Sequence, residues 1–75
     1  MLLPNKLYSY HESVLSKFPL ILRELRKKPL TASELYQRVL NRVSGVSEYI
    51  DALDCLYALK KIEYDEKEGV IRYVV

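Results

Sequence analysis

The most regular pattern of hydrophobic and polar residues lies between residues 47 and 61. Wound at about 3.6 residues per turn, this stretch places its large apolar side chains on one broad stripe and its acidic and small side chains opposite. The stripe comprises Val46, Tyr49, Ile50, Leu53, Leu56 and Tyr57. Ser47 is a suitable N-cap, followed by acids that the helix dipole favours. The pattern therefore predicts a helix whose apolar stripe faces the core.

A first helix is predicted from Ser9 or Ser13 to about Lys28. Its inward apolar positions are Val14, Leu15, Phe18, Ile21, Leu22 and Leu25. Pro19 removes a backbone donor and crowds the preceding turn, so we expect either a kink at Pro19 or a helix that restarts there.

A second helix is predicted to start near Ala32, because residues 31–34, Thr-Ala-Ser-Glu, form a capping-box pattern. Its inward positions are Leu35, Tyr36, Val39, Leu40 and Val43. It is expected to stop near Ser44 and Gly45, where glycine suits a left-handed residue.

A β-hairpin is predicted after the third helix, because residues 62–65 and 70–74 resemble strands and residues 66–69 resemble a turn. Three helices followed by a hairpin wing predict a mostly α, α+β fold, the winged helix-turn-helix, over residues 11–75. Residues 1–10 lack helical or alternating periodicity and are predicted to form an N-terminal arm. Within it, Tyr8 and Tyr10 are candidates for contact with a partner.

Charge is distributed unevenly along the 75 residues, although the net charge is only +2. Residues 1–46 hold eight Lys or Arg against three Asp or Glu, or +5, and residues 47–75 hold four against seven, or −3. This asymmetry favours two different contact surfaces over one uniform nucleic-acid footprint. A merely solvated surface is the alternative.

The third predicted helix has the position of the recognition helix in a winged helix-turn-helix, but its charge is wrong for reading DNA. Such a helix enters the major groove between phosphates, yet its first turns here carry Glu48, Asp51 and Asp54. Nonspecific phosphate contact is assigned instead to the basic residues of the first two helices: Arg23, Lys27, Arg38 and Arg42. Cations near a helix C-terminus also have a purely structural explanation.

A protein-docking strip is the alternative for the polar side of the third helix. Asp51, Cys55 and Ala58 are small and spaced so that another helix could approach closely, with Glu48 and Asp54 beside them to pair with basic residues. These five residues, with Tyr8 and Tyr10, are the predicted partner-binding set. A plain solvated helix face explains the spacing equally well.

No constellation of residues indicates catalysis. The single cysteine, Cys55, and single histidine, His11, lack the partners that a nucleophile or a zinc site needs, and the two glycines do not form a phosphate loop. We therefore expect no enzymatic activity, cofactor or metal. With 49% hydrophobic and 29% charged residues and no long apolar run, the chain is expected to be a globular cytoplasmic domain without a membrane span.

The sequence resembles the small middle-component proteins of bacterial ABC-three-component, or Lamassu-like, defence systems. The resemblance rests on the segments LPNK at 3–6, ESVL at 12–15, LTASEL at 30–35, ALDCLYAL at 52–59, IE at 62–63 and GVIR at 69–72. It implies a winged-helix fold and a subunit that links an SMC- or Rad50-like ABC ATPase to an effector, often a nuclease, in defence against phage or plasmids.

Two function classes therefore remain open. The first, favoured by the acidic third helix, is a non-catalytic adaptor subunit of such a complex. The second is a small DNA-binding winged-helix transcriptional regulator.

Overall fold

The computed structural model describes the backbone of residues 4–75 and the side chains of residues 9–75. Four α-helices precede one antiparallel hairpin. The helices are α1 (Pro4–Ser16), α2 (Phe18–Lys27), α3 (Ala32–Val39) and α4 (Val46–Ala58), and the strands are β1 (Ile62–Asp65) and β2 (Val70–Tyr73). The predicted winged-helix fold is confirmed, with α4 in the position of the recognition helix and the hairpin as the wing.

The hydrophobic core draws on every helix and both strands. Helix α1 packs along α4, and α2 packs against α3 and β2. The buried apolar side chains are Val14, Ile21, Leu25, Leu30, Leu35, Val39, Tyr49, Ala52, Leu56, Ile62 and Ile71.

The predicted first helix is two helices separated at Lys17. Pro19 occupies the second position of α2, where a helix needs no backbone donor. Restarting at Pro19 is therefore the alternative that the structure adopts. Leu15, predicted to face inward, is exposed.

The expected N-terminal arm is helical from Pro4 onward, so the predicted boundary between residues 10 and 11 falls inside α1. The predicted start at Ser9 or Ser13 is wrong for the same reason. Helix α1 packs against α4. The irregular apolar pattern of residues 1–10 did not indicate this contact. Residues 1–3 lie outside the described part of the chain.

The start of α3 is formed by the predicted capping box. The Glu34 amide donates to the Thr31 hydroxyl at 3.1 Å, and the Thr31 amide donates to the Glu34 carboxylate at 2.9 Å. The helix ends earlier than predicted, at Val39, and a short 3₁₀ turn follows at Leu40–Arg42. Leu40 is consequently exposed rather than inward.

Helix α4 begins at Val46 without a side-chain cap, so the predicted Ser47 cap is wrong. The residue before it, Gly45, has a φ of +148°, which a side chain would strain. At the other end, Lys60 has a φ of +60°, its amide donates to the Tyr57 carbonyl at 3.0 Å, and the Lys61 amide donates to Leu56 at 2.9 Å. This is a Schellman motif with lysine where glycine is usual.

The hairpin pairs in the register Ile62 with Tyr73 and Tyr64 with Ile71. The alternation of the second strand left open whether Val70, Arg72 and Val74 or Ile71 and Tyr73 would cover the helices, and the structure has Ile71 and Tyr73 toward them. An antiparallel bridge also joins Ile71 to Leu30: the Leu30 amide donates at 3.2 Å and the Ile71 amide at 2.7 Å. This bridge, which the sequence pattern did not reveal, ties the wing to the segment between α2 and α3.

Candidate functional site

Helix α4 buries only part of the apolar stripe that was predicted to face the core. Its buried side chains are Glu48, Tyr49, Ala52 and Leu56. From the predicted stripe, Val46, Ile50 and Tyr57 are exposed and Leu53 is half-buried. The prediction that the whole stripe lies in the core is therefore wrong. Ala52 is a small residue near the middle of the helix and permits neighbouring elements to approach closely. Packing of α4 against the domain through the side that carries Ala52 is therefore favoured.

Tyr49 fixes α4 against α3. Its hydroxyl donates to the Ala32 carbonyl at 2.6 Å, and its ring lies 4.9 Å from that of Tyr36, centroid to centroid. Burial raises the pKa of the Tyr49 phenol to about 12. The recognition helix is thus anchored to the first turn of α3 by a buried aromatic pair and a hydrogen bond.

Glu48 faces inward, which corrects its assignment to the outer, partner-binding side. It is only 3% exposed. Its carboxylate accepts hydrogen bonds from the Ser13 hydroxyl and from the Ser44 amide at 2.9 Å, and lies 3.8 Å from the Lys17 ammonium. The Ser13 bond, with smaller contributions from Ser44 and Lys17, holds the pKa of Glu48 below its usual value. The physical reason for its burial is this set of partners, which come from α1, from the turn between α1 and α2 and from the loop before α4.

Tyr10 and Asp51, both predicted to bind a partner, contact each other within the folded chain. The Tyr10 hydroxyl donates to the Asp51 carboxylate, and this bond raises the pKa of the Tyr10 phenol to about 12. The pair links α1 to α4. The side chain of Tyr8 lies outside the described residues.

The other three predicted docking residues, Asp54, Cys55 and Ala58, are exposed, whereas Asp51 is half-buried. Asp54 borders a concavity of about 160 Å³ between α4 and the hairpin, and Ala58 borders an adjoining one of about 500 Å³. Cys55 is a free thiol. The structure therefore brings Asp54 and Ala58 to the cleft beside the wing.

The exposed apolar side chains of α4 and the wing form a continuous face, here called the α4–wing surface: Val46, Ile50, Tyr57 and Tyr64. They are 57%, 44%, 62% and 55% exposed, respectively. The three α4 residues recur at helical spacing on one face, and Tyr57 and Tyr64 line the same 160 Å³ concavity. Exposed apolar residues are normal when scattered, but a contiguous set beside a concavity is typical of an interaction site.

The charges around this surface are mostly negative. Asp54 and Glu63 both border the smaller concavity, whereas Lys60 and Glu63 border the larger. Val46–Ala58 contains no Lys or Arg. The face that a winged helix normally presents to DNA is therefore apolar and acidic, and phosphate would be repelled from it.

The wing provides little cationic charge to offset these acids. Arg72 donates to the Asp65 carboxylate at 3.1 Å. The pKa of Asp65 is lowered, chiefly by the hydrogen bond that its carboxylate accepts from the Glu68 amide and further by Arg72. The turn beyond carries Glu66 and Glu68 against Lys67, all exposed. Acidic residues thus also predominate at the tip of the wing.

The four residues predicted to contact phosphate separate into two pairs. Lys27 and Arg38 lie 3.1 and 3.4 Å from the Glu24 carboxylate. Lys27 contributes most to the lowered pKa of Glu24. Arg23 and Arg42 instead line a groove of about 370 Å³ together with Arg26, a residue that sequence reasoning missed.

Arg26 also contacts Tyr73 of β2, which does not border this groove. Its guanidinium donates to the Tyr73 hydroxyl at 3.1 Å and lies 4.9 Å from the ring centroid. The groove is thus bordered by three arginines, of which Arg26 is held by an aromatic ring.

In the described part of the chain, no group of three or more His, Cys, Asp or Glu residues is placed to hold a metal ion. His11 is exposed and its ring makes an edge contact with Tyr10 at 6.3 Å. None of the helices between residues 4 and 75 has the length and apolar character needed to cross a membrane.

These observations define a winged helix-turn-helix protein whose recognition-helix face is apolar and acidic rather than basic. The family model for the ABC-three component (ABC-3C) system Middle Component 7 matches residues 3–71. The chain belongs to this family, and so to the middle components of a multi-component system. No curated protein and no solved structure matches the chain.

Among the features of the site that the sequence did not predict are the outward orientation of Val46, Ile50 and Tyr57 in the apolar stripe of α4 and the role of Arg26. One signal for the first was present. Ala52 lies among the polar positions of the predicted helix and is the residue type that close packing tolerates there. Arg26 was not among the predicted phosphate contacts, and its contact with Tyr73 joins residues far apart in sequence.

Proposed function

We propose that this chain is a non-catalytic adaptor subunit that links an SMC- or Rad50-like ABC ATPase to an effector, a nuclease, in a Lamassu-like anti-phage or anti-plasmid complex in the bacterial cytoplasm. Family membership supports a role within a multi-component system. The more specific assignments of ATPase, effector and defence pathway are part of the proposal.

The observation that carries the proposal is the character of the α4–wing surface. A regulator that reads DNA needs cations and hydrogen-bond donors at this position. The chain instead exposes Val46, Ile50 and Tyr57 there and contains no Lys or Arg in α4. Apolar and aromatic residues at a cleft are the composition of a protein-binding site.

DNA contact in this proposal is indirect or nonspecific and is assigned to the groove of Arg23, Arg26 and Arg42. Guanidinium groups bind phosphate by paired hydrogen bonds, so three in one groove support backbone contact without base reading. Lys27 and Arg38 are omitted because Glu24 already pairs with both.

The test is co-expression of the tagged chain with the ABC ATPase and effector components of its own system, followed by affinity purification. We expect a stable complex in which ATPase and nuclease activity belong to the partners and not to the separately purified chain. Any DNA binding by the isolated chain should be sequence-independent, weaken steeply with salt and decrease in Arg23→Gln with Arg42→Gln.

The proposal is contradicted if the wild-type chain does not associate with either component. Selective binding of the isolated chain to one duplex at physiological salt would support the transcriptional regulator instead.

A further inference from the structure

We propose that the α4–wing surface is a binding site for an amphipathic helix of a partner protein, one that carries Lys or Arg beside its apolar stripe. This inference rests on the adaptor function proposed above and adds to it the site and the chemistry of the partner.

The length of the surface fits a helix. Val46, Ile50, Leu53 and Tyr57 recur at i, i+4, i+7 and i+11, a spacing that spans about 16 Å along α4. An amphipathic helix places residues i, i+3, i+4 and i+7 along a stripe of the same scale. The concavities of about 160 and 500 Å³ between α4 and the hairpin offer pockets for its larger side chains.

The surface is apolar beyond what the fold requires. The domain core already takes Tyr49, Ala52 and Leu56 from α4, so the exposed residues of that helix contribute little to it. Hydration of exposed apolar area is unfavourable, and a partner that covers Ile50 and Tyr57 removes that cost. Tyrosine is also among the residue types that are enriched as anchors of interfaces.

The charge of the rim selects the partner. Asp54 and Glu63 border the smaller concavity, with no cation among the residues that line it. Lys60 lies at the far end, beside the larger concavity. A helix with basic residues opposite Asp54 and Glu63 would pair with both carboxylates, whereas an acidic helix would be repelled.

A second copy of this chain fits the surface less well. A twofold interface brings the same patch of both subunits together, so the acidic rims that carry Asp54 and Glu63 would share one interface. Like charges facing each other in an interface are unfavourable. Eight of the twelve basic residues of the chain lie in residues 1–46, and α4 contains none.

The first experiment uses two synthetic helical peptides of about 18 residues, long enough to be helical, with identical leucine stripes. One has lysines beside the stripe and the other has glutamates, and both are used at concentrations where they are monomeric. We expect the lysine peptide to shift the NMR resonances of Ile50, Tyr57 and Tyr64 and to bind about tenfold more tightly than the glutamate peptide at low salt. Equal affinity of the two peptides, or shifts elsewhere on the domain, would overturn the proposal.

Matched variants locate the site. Ile50→Gln with Tyr57→Gln removes apolar area without changing charge and should weaken the lysine peptide about tenfold or more. The control is Leu15→Gln with Leu40→Gln, because these leucines are 56% and 41% exposed but lie outside the α4–wing surface. Asp54→Asn with Glu63→Gln should reduce the preference for lysine, whereas Glu66→Gln with Glu68→Gln on the wing turn should not. Unchanged binding by the Ile50 and Tyr57 variant refutes the site.

The same variants in the co-purification experiment separate this inference from the proposed function. Loss of the complex with Ile50→Gln and Tyr57→Gln, but not with the leucine control, supports the surface. A complex that survives that variant keeps the adaptor function and rejects this surface, whereas no complex with the wild type rejects the function itself. Self-association of the wild type in sedimentation experiments, abolished by the same variant, would identify a second copy as the occupant and overturn the proposal.

Discussion

Helices α3 and α4 both carry an apolar stripe, but only α3 buries the centre of its stripe as the pattern predicts. Leu35 and Val39 of α3 are fully buried, whereas Val46, Ile50 and Tyr57 of α4 are exposed. Periodicity shows which side of a helix is apolar. It does not show whether the same chain or another protein covers that side, and α4 has more apolar surface than this small domain covers.

The two helices also begin differently. Thr31 and Glu34 close the first turn of α3 within four residues of chain. Helix α4 starts after Gly45 without a side-chain cap, and its early acid, Glu48, turns inward to Ser13, Ser44 and Lys17. The start of α3 is determined locally, and the start of α4 depends on α1. The following predictions test this difference, beginning with the largest effect.

Truncating a residue of the apolar stripe should lower the free energy of unfolding more in α3 than in α4. Leu35→Ala leaves a cavity in the core and should lower the free energy of unfolding by about 3 kcal/mol. Ile50→Ala, on an exposed position, should change it by less than about 1 kcal/mol. Urea denaturation of both variants checks this. Equal destabilisation would place the α4 stripe in the core and remove the basis of the proposed surface.

Removal of the inward acid should destabilise the fold. Glu48→Ala leaves the Ser13 hydroxyl and the Ser44 amide without their acceptor, at a cost of about 2 kcal/mol in the free energy of unfolding. Asp54→Ala, at an exposed site on the same helix, is the control and should stay within about 0.5 kcal/mol of the wild type. A comparable loss in both variants would mean that helix propensity, not the buried hydrogen bonds, causes the effect.

Glu48 should also contribute to acid sensitivity. Its pKa is lower in the folded protein than the ordinary 4.5, so the folded state binds its proton less readily than the unfolded chain does. The stabilisation is therefore present above about pH 4.5 and is lost as the pH falls through the folded pKa. Between pH 7 and pH 3, Glu48→Gln should lose less stability than the wild type in urea titrations. Parallel losses would contradict the lowered pKa.

Removing the hydroxyl before α3 and removing the one at the start of α4 should differ by about 1 kcal/mol in their effect on the free energy of unfolding. Thr31→Ala breaks the capping box of α3 and should lower the free energy of unfolding by about that amount. Ser47→Ala should have almost no effect, because its side chain caps nothing in α4. Thermal melting of the two variants is sufficient. A large effect of Ser47→Ala would restore the cap expected from sequence.

The smallest expected effect is a gain in stability at the C-terminal end of α4. Lys60 adopts a φ of +60°, which glycine tolerates without steric cost. After the greater freedom of glycine in the unfolded chain is subtracted, Lys60→Gly should stabilise the domain by about 0.5 kcal/mol. Lys61→Gly, where φ is not positive, should destabilise it slightly. Melting temperatures that move in the opposite order would refute the Schellman geometry.

The sequence by itself determined the features that depend on a few neighbouring residues. The capping box at Thr31 sets the start of α3, and Pro19 breaks the first helix because it lacks a backbone donor. The alternation of Ile62 and Tyr64 and the turn before Gly69 define the wing. Together these local signals were enough to predict the winged-helix fold.

Only the tertiary structure decided which side of α4 is buried. Ser13 of α1 and Lys17, between α1 and α2, provide partners that draw Glu48 inward, and Tyr10 of α1 binds Asp51. These contacts join residues far apart in sequence, so no pattern within α4 could indicate them. Once α1 occupies that side, Val46, Ile50 and Tyr57 of the apolar stripe face outward, while Tyr49 and Leu56 stay in the core. The physical reason is that a helix that packs one side against its own domain presents the rest to solvent or to a partner.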